Sequence, residues 1–370
     1  MEKCKHYAVI GVFFLFICGF SVFHFLLPDK DFSPDERKTL TQAPALTWES
    51  VRTGDYFADA ESYLLDQFPL RPYFLDAKRV LDKNIFLMDS SSGYASVGEH
   101  LTQLSPTLNE DQVAHAVKLF NKIIAAHPEA NQVFYAVVPD KNYYLSQLNN
   151  QPSLDYEKLL QMADEIQGQK IHISHLLTLE DYYRTDSHWR QERIIPVAEA
   201  LCHAMGVIPA DSSAYSATTL EGFKGVYYTL TESPPPPETL IYLRNHAIDN
   251  ATVTRLNMSL QIEQMEMYTE ENIDKEFVDS YDVYLDGPES VITIENPNAT
   301  SSKHLIMIRD SFGSSLAPLL VDSYAKITIL DLRYLKSSLF STVGLDFTDA
   351  DILFLCSTTT LNNAKTMGLN

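Results

Sequence analysis

The chain has 370 residues, enough for one large domain or two ordinary ones, and its 45% hydrophobic content is that of a protein with a substantial core rather than a disordered one. Its formal net charge of -21, with no compensating basic block, repels phosphate backbones and excludes nucleic acid as a partner. Neutral glycans and small activated esters fit such a surface better.

Lys3 and Lys5 precede an apolar run from Tyr7 to Leu27, which stops at Pro28-Asp29-Lys30-Asp31. A helix of roughly 21 residues spans about 31 Å, the hydrocarbon thickness of a bilayer. Basic residues before the run and acids after it place the N-terminus in the cytoplasm and the remainder outside. No A-x-A-like cleavage site follows, so the expectation is a single-pass signal anchor in the cell membrane, with residues 1–28 as tail and anchor. Residues 29–100 read as an irregular extension broken by Pro34, Pro44, Pro69 and Pro72, with a helical stretch over Gly54 to Leu65.

Residues 101–370 carry the pattern of an α/β domain. Asn109 is a helix cap before Val113, Val117, Phe120 and Ile124 at helical spacing, ended by Pro128. Val133 to Val138 is a continuous apolar run closed by Pro139, as in a strand buried on both faces. A helix from Leu154 to about Ile166 and a short strand at Ile171–Ile173 follow. The polar loop Asp181–Arg190 leads into a helical stretch from Gln191 to about Met205, with Gly206 as its stop. The run Pro234–Pro237 is expected to be extended and exposed, and Asp274 to Glu289 to be a solvated acidic face. Apolar strands at Leu305–Ile308, Ile327–Leu330 and Ile352–Leu355 surround a helix through Phe312, Leu316, Leu319 and Leu320. Alternating strands and helices of this kind predict a mostly parallel sheet covered by helices on both faces.

Ser311 follows a buried strand and opens a helix, at the carboxyl end of the sheet where open α/β folds bind ligands. There a serine can attack an acyl carbon while nearby N–H groups hold the oxyanion. Equally, Asp310 and Ser311 are favoured cap residues. Asp186-Ser187-His188 offers a carboxylate two residues before an imidazole, which can fix the tautomer and leave Nε2 free as general base, with Trp189 as a shield. Capping of the next helix explains Thr185, Asp186 and Ser187 as well. Metal ligation by Asp186 and His188 lacks further ligands in the sequence, and no cofactor is called for. Arg333 lies just past a buried strand and suits either an anionic group or a structural ion pair; His172 and His175 read as exposed or structural. Cys202 and Cys356 are not in a CxxC pair and read as buried free thiols.

Several boxes resemble the DHHW family of bacterial envelope proteins, related to the SGNH-type domains of alginate and other polysaccharide O-acetyltransferases. They are Glu36-Arg37-Lys38-Thr39-Leu40 to Pro44, Gly54-Asp55-Tyr56-Phe57, Asp66-Gln67-Phe68-Pro69-Leu70-Arg71 and Val138-Pro139-Asp140-Lys141. Thr185-Asp186-Ser187-His188-Trp189, Ile308-Arg309-Asp310-Ser311-Phe312 and Ile329-Leu330-Asp331-Leu332-Arg333-Tyr334 complete the set. The resemblance implies an SGNH-hydrolase-like (flavodoxin-like) fold with Ser311 as nucleophile, His188 as base and Asp186 as its orienting acid. It further implies acetyl transfer to, or removal from, a cell-envelope or secreted glycan, with an acyl donor supplied by a membrane-bound partner. Two positions depart from the family. Ser187 stands where the namesake has a second histidine, and is expected to point away from the pair. Leu285-Asp286-Gly287-Pro288 replaces a Gly-Gly-Asn turn, keeping Gly287 as a supporting residue but substituting proline, which donates no N–H. The rival reading is a glycan-binding or assembly protein that keeps the fold without the activity.

Overall fold

A computed structural model describes residues 2–33, 38–84, 94–149, 153–228, 235–257, 259–275 and 278–368. Pro34, Glu36, Arg37 and Pro234 lie outside them; Pro236 and Pro237 are exposed and irregular. The chain divides into two compact units, one formed by residues 1–92 with 229–233, the other by 93–228 with 234–370.

The first unit contains helix α1 (Glu2–Leu26), a short antiparallel pair of β1 (Phe32–Ser33) and β2 (Lys38–Thr39), and helices α2 (Trp48–Thr53), α3 (Asp55–Asp66) and α4 (Arg71–Asn84). The helix expected over Gly54 to Leu65 is α3, preceded by Gly54. This glycine closes α2 at φ 91°, a conformation glycine adopts without penalty, and α3 starts at the next residue. Asp66, at the end of α3, accepts from both the N–H and hydroxyl of Thr41, tying the extended segment after β2 to the helix. The apolar run at residues 7–27 lies largely within α1, and Tyr7, Val12, Phe14 and Leu15 are exposed. Among the described residues, however, no helix is long and apolar enough to cross a membrane, so the expected span is not established by the fold.

The second unit opens with the hairpin β3 (Tyr94–Val97) and β4 (His100–Gln103). Helix α5 (Glu110–Ala126) follows, its first turn capped by the Asn109 side chain on the Gln112 N–H. Then come β5 (Gln132–Val138), α6 (Lys141–Asn149), α7 (Tyr156–Ala163), β6 (Gln169–Lys170), α8 (Ile195–Ala204), β7 (Ser216–Phe223), β8 (Glu238–Arg244), α9 (His246–Asn250), β9 (Thr252–Leu256) and β10 (Ile262–Met265). The chain finishes with β11 (Val291–Glu295), β12 (His304–Arg309), α10 (Phe312–Leu316), β13 (Lys326–Leu330), β14 (Asp351–Ser357) and α11 (Thr358–Asn362).

Eight strands form one sheet in the order β10-β9-β11-β13-β12-β14-β5-β6. The half from β13 to β6 is parallel; β11, β9 and β10 extend it antiparallel. The sheet is therefore mixed, parallel where the site lies. Alternate residues of the parallel strands enter two cores: Leu305, Met307, Leu353 and Leu355 face one, Ile306, Ile308, Ile352 and Phe354 the other. This is why these strands read as unbroken apolar runs. Helices α5, α7 and α11 cover one face, while α8 and α10 cover the other. Cys202 and Cys356 are buried free thiols on opposite faces.

Some boundaries differ from the sequence pattern. Strand pairing at Ile171–Ile173 shifts back to Gln169–Lys170, because Ile171 gives its N–H to Tyr135 and the chain then coils into a 3-10 turn at Ser174–Leu176. The acidic segment 274–289 is not a solvated face. Its 3-10 turn Ser280–Val283 and the following Tyr284-Leu285 bury Tyr281, Val283, Tyr284 and Leu285 in the core, with Asp274 exposed and Asp279, Asp282, Asp286 and Glu289 half-buried.

Candidate functional site

The site sits at the carboxyl ends of β12 and β5, where the sheet hands over to α10 and α6. Asp310 and Ser311, which local sequence leaves equally suited to capping, differ in what their side chains bond. Asp310 is the cap: its Oδ1 accepts the Phe312 N–H at 3.1 Å and its Oδ2 accepts the Ser357 N–H at 2.7 Å, joining the ends of β12 and β14. Ser311 makes no side-chain cap bond, is only half-buried, and turns its hydroxyl outward to His188.

His188 comes from the loop between Tyr182 and Trp189, which are bridged antiparallel at its base. The Tyr183 N–H donates to the His188 carbonyl and closes the loop into a tight hairpin. Within it, Asp186 Oδ1 lies 2.5 Å from His188 Nδ1 and also accepts the His188 N–H at 2.9 Å. Its other oxygen accepts the Val226 N–H at 2.8 Å. On the far side of the imidazole, Nε2 is 2.7 Å from Ser311 Oγ. The structure thus brings Asp186, His188 and Ser311 into one line across 123 residues of sequence.

The electrostatics follow from burial. Asp186 is fully buried, which alone would raise its pKa; the charge and hydrogen bond of His188 and the N–H groups of His188 and Val226 outweigh this and hold it down to about 2. Burial likewise opposes a charge on His188, but Asp186 beside it, reinforced by Asp279 and Asp310, raises its pKa above the ordinary 6.5. The imidazole is thereby oriented and made more basic.

Contacts on every side of the pair hold this geometry. Trp189 is wholly buried and donates from Nε1 to the Phe312 carbonyl at 3.1 Å and to Ser315 Oγ at 2.9 Å, fastening the histidine loop to α10. The ring that holds the imidazole is Tyr281 instead, stacked on His188 with centroids 3.8 Å apart and planes 6° from parallel, its hydroxyl 2.7 Å from the same Ser315 Oγ. Glu238 accepts the N–H groups of Arg184 and Thr185 and the Thr185 hydroxyl, while Lys141 Nζ holds carbonyls of the same loop. Gly225 passes so close that a Cβ there would lie 2.3 Å from the Thr185 carbonyl and 2.4 Å from the Asp186 Cβ.

The remaining candidates fall differently. Ser187 does not point away: its Oγ is 3.5 Å from His188 Nδ1, because the segment is turned rather than extended, yet Asp186 at 2.5 Å holds that nitrogen. Arg333 makes a two-pronged ion pair with Asp331, at 2.9 and 2.6 Å, and is the structural alternative of the two it suited. Buried Arg309 reaches the same carboxylate at 3.4 Å. Gly287 has φ 83°, and a Cβ there would lie 2.5 Å from Asp282 Cγ, so glycine is required; its N–H leans on the Tyr284 carbonyl at 3.4 Å. His172 and His175 are exposed. Tyr281, Glu238 and Gly225 carried no sequence signal of function, since their role is contact with a loop distant in the chain; Lys141 was visible only as part of a family box.

Comparison with known proteins agrees with the resemblance. Residues 165–330 match the family described as DHHW protein. The DHHW region therefore holds Asp186, His188, Tyr281 and Ser311 together. A crystal structure of a DHHW family protein from Eubacterium siraeum superposes with a TM-score of 0.61 at 21% identity, covering 75% of this chain and 95% of its own. Bacillus cereus PatB1, solved with a sulfonyl adduct, superposes at 0.59 and 18% identity, covering 72% and 97%. A second structure of PatB1 gives 0.59 and 19%, covering 72% and 96%. These likenesses establish a shared fold for the DHHW region and its flanks. Comparison with curated proteins finds no match.

Proposed function

We propose that the chain is an acyl transferase or esterase, acting on acetyl groups of a cell-envelope or secreted glycan through Ser311, His188 and Asp186. The observation that carries this reading is the 2.7 Å approach of His188 Nε2 to Ser311 Oγ, with Nδ1 held by Asp186 at 2.5 Å. His188 takes the Ser311 proton as Oγ attacks the acyl carbonyl carbon. The tetrahedral intermediate collapses, and the donor alcohol leaves with that proton. An acceptor hydroxyl, from sugar or water, then gives its proton to His188, attacks acyl-Ser311 and restores the serine as the proton returns.

The glycan substrate rests on the DHHW resemblance and on a net charge of -21, which disfavours anionic polymers. Anchoring through α1 rests on the apolar run 7–27 and the lysines before it, and places the second unit outside the cell membrane. An acyl donor on that side would come from a membrane-bound partner. The second reading, a glycan-binding protein without activity, is favoured by the Asp286-Gly287-Pro288 turn, where one N–H is missing and another leans on Tyr284.

The full chain, incubated with 4-nitrophenyl acetate and with an aryl sulfonyl fluoride, tests the choice. Acyl transfer requires ester turnover and a single sulfonyl adduct on Ser311, in parallel with the adduct of PatB1. Equal turnover by Ser311→Ala removes the serine from the mechanism and leaves the binding reading.

A further inference from the structure

Lys141 begins α6 and is almost wholly buried, at 2% exposure. Its Nζ lies 2.6 Å from the carbonyl oxygen of Leu101, 2.8 Å from that of Tyr183, 2.9 Å from that of Arg184 and 3.0 Å from that of Asp186. An ammonium has three protons, so four acceptors at these distances surround it as ligands surround a cation. Three of the four belong to the histidine loop, and the fourth to β4, which also receives the Arg184 carbonyl on the Leu101 N–H. Converging carbonyl dipoles repel one another unless positive charge lies between them. Rings of such oxygens are what replaces the water shell of a potassium ion in protein sites.

We propose that Lys141 is a positioning residue acting as a built-in monovalent cation for this carbonyl cage, and that removing its side chain leaves a site for ammonium or potassium. The Asp186 carbonyl it holds belongs to the residue whose carboxylate orients His188, so the cage sets the direction of that carboxylate. This consequence for catalysis rests on the acyl-transfer reading; the cage does not. Burial pushes the Lys141 pKa down to about 7, against the carboxylates of Asp186 and Glu238, while four carbonyl acceptors around Nζ suit the protonated form and leave the lone pair of a neutral amine no partner among them.

The test uses the full chain carrying Lys141→Ala. Misplacing a catalytic group by about 1 Å costs about a hundredfold, so kcat is expected to fall by about that factor with KM within about twofold. Ammonium or potassium chloride is expected to restore kcat at least about tenfold, and choline chloride at equal ionic strength to restore none, since choline is too large for the cage. Lys141→Met, which fills the space without charge, should fall as far and stay there. Unchanged kcat in Lys141→Ala, or equal recovery with choline, overturns the proposal. Melting temperature gives a second readout independent of turnover: it should rise with ammonium and potassium in Lys141→Ala and not in the unsubstituted chain. If the unsubstituted chain shows no Ser311-dependent turnover, acyl transfer fails while melting still judges the cage. Should Lys141→Ala be recovered only unfolded, refolding in ammonium chloride decides: a cooperative melt supports the cage, and its absence overturns it.

Discussion

Tyr281 lies flat against His188, with ring centroids 3.8 Å apart, and its hydroxyl meets the Ser315 oxygen that also receives the Trp189 N–H. One small hydroxyl on α10 thus joins the residue that stacks on the imidazole to the residue that follows it in sequence. A stacked aromatic contact contributes about 0.5–1.5 kcal/mol beyond burial and leaves the imidazole one plane in which to lie. Tyr281→Phe keeps the stack and should retain kcat within about threefold, whereas Tyr281→Leu loses it and should lower kcat by about 10–100-fold. Equal rates for the phenylalanine and leucine variants would show that the ring has no part in positioning His188.

The pH dependence follows from the pair. Because Asp186 raises the His188 pKa above 6.5, the free base appears only as pH climbs through that raised value. kcat/KM should therefore rise with pH through a midpoint above 6.5. Asp186→Asn removes the main cause of the shift, so the midpoint should move down while the rate falls by about 10²–10⁴-fold. A midpoint unmoved in Asp186→Asn would mean another group titrates.

Stability carries the same signature with its sign set by each group. His188, with its folded pKa raised, contributes fully below 6.5 and loses that contribution as pH rises through the raised value. Asp186, held down to about 2, contributes above 3.8 and loses it as pH falls toward about 2. The pair should support the fold most between those limits. Urea unfolding of the unsubstituted chain and of Asp186→Asn, compared across pH, measures it; a difference constant with pH would refute the coupling.

Gly225→Ala tests how closely the loops must approach. The added carbon would overlap the Thr185 carbonyl and the Asp186 side chain, both fixed by Glu238, Lys141 and Val226. Overpacking of this kind costs about 1–3 kcal/mol, and the yielding element is the loop that carries Asp186. Activity should fall more steeply than stability. Retention of both would place the two backbones further apart than 2.3 Å from such a carbon allows.

Much of the fold was legible in the chain because each local signal had one physical meaning. Apolar runs closed by proline or by polar residues became the strands β5, β12, β13 and β14, and Asn109 capped the helix it precedes. In the acidic stretch 274–289 charge density does not amount to exposure. Its aromatic residues at Tyr281 and Tyr284 decide where the chain goes, burying themselves while Asp279 and Asp282 remain half-exposed beside the site.

The three residues proposed to do the chemistry stand on the same footing. The sequence by itself determined that Asp186 and His188 lie two residues apart in one polar loop and that Ser311 follows a buried strand, since those are properties of neighbours along the chain. It left capping and catalysis open at Asp186 and Ser311, because a cap and a triad member want the same small polar side chains. Only the tertiary structure decided which side chains cap a helix and which meet one another. Sheet order sets β12 at the centre, Gly225 and Lys141 set the height of the histidine loop, and Tyr281 sets the plane of the ring. Those contacts are long-range, and a hydrogen bond of 2.7 Å between His188 and Ser311 exists only when all of them are satisfied together.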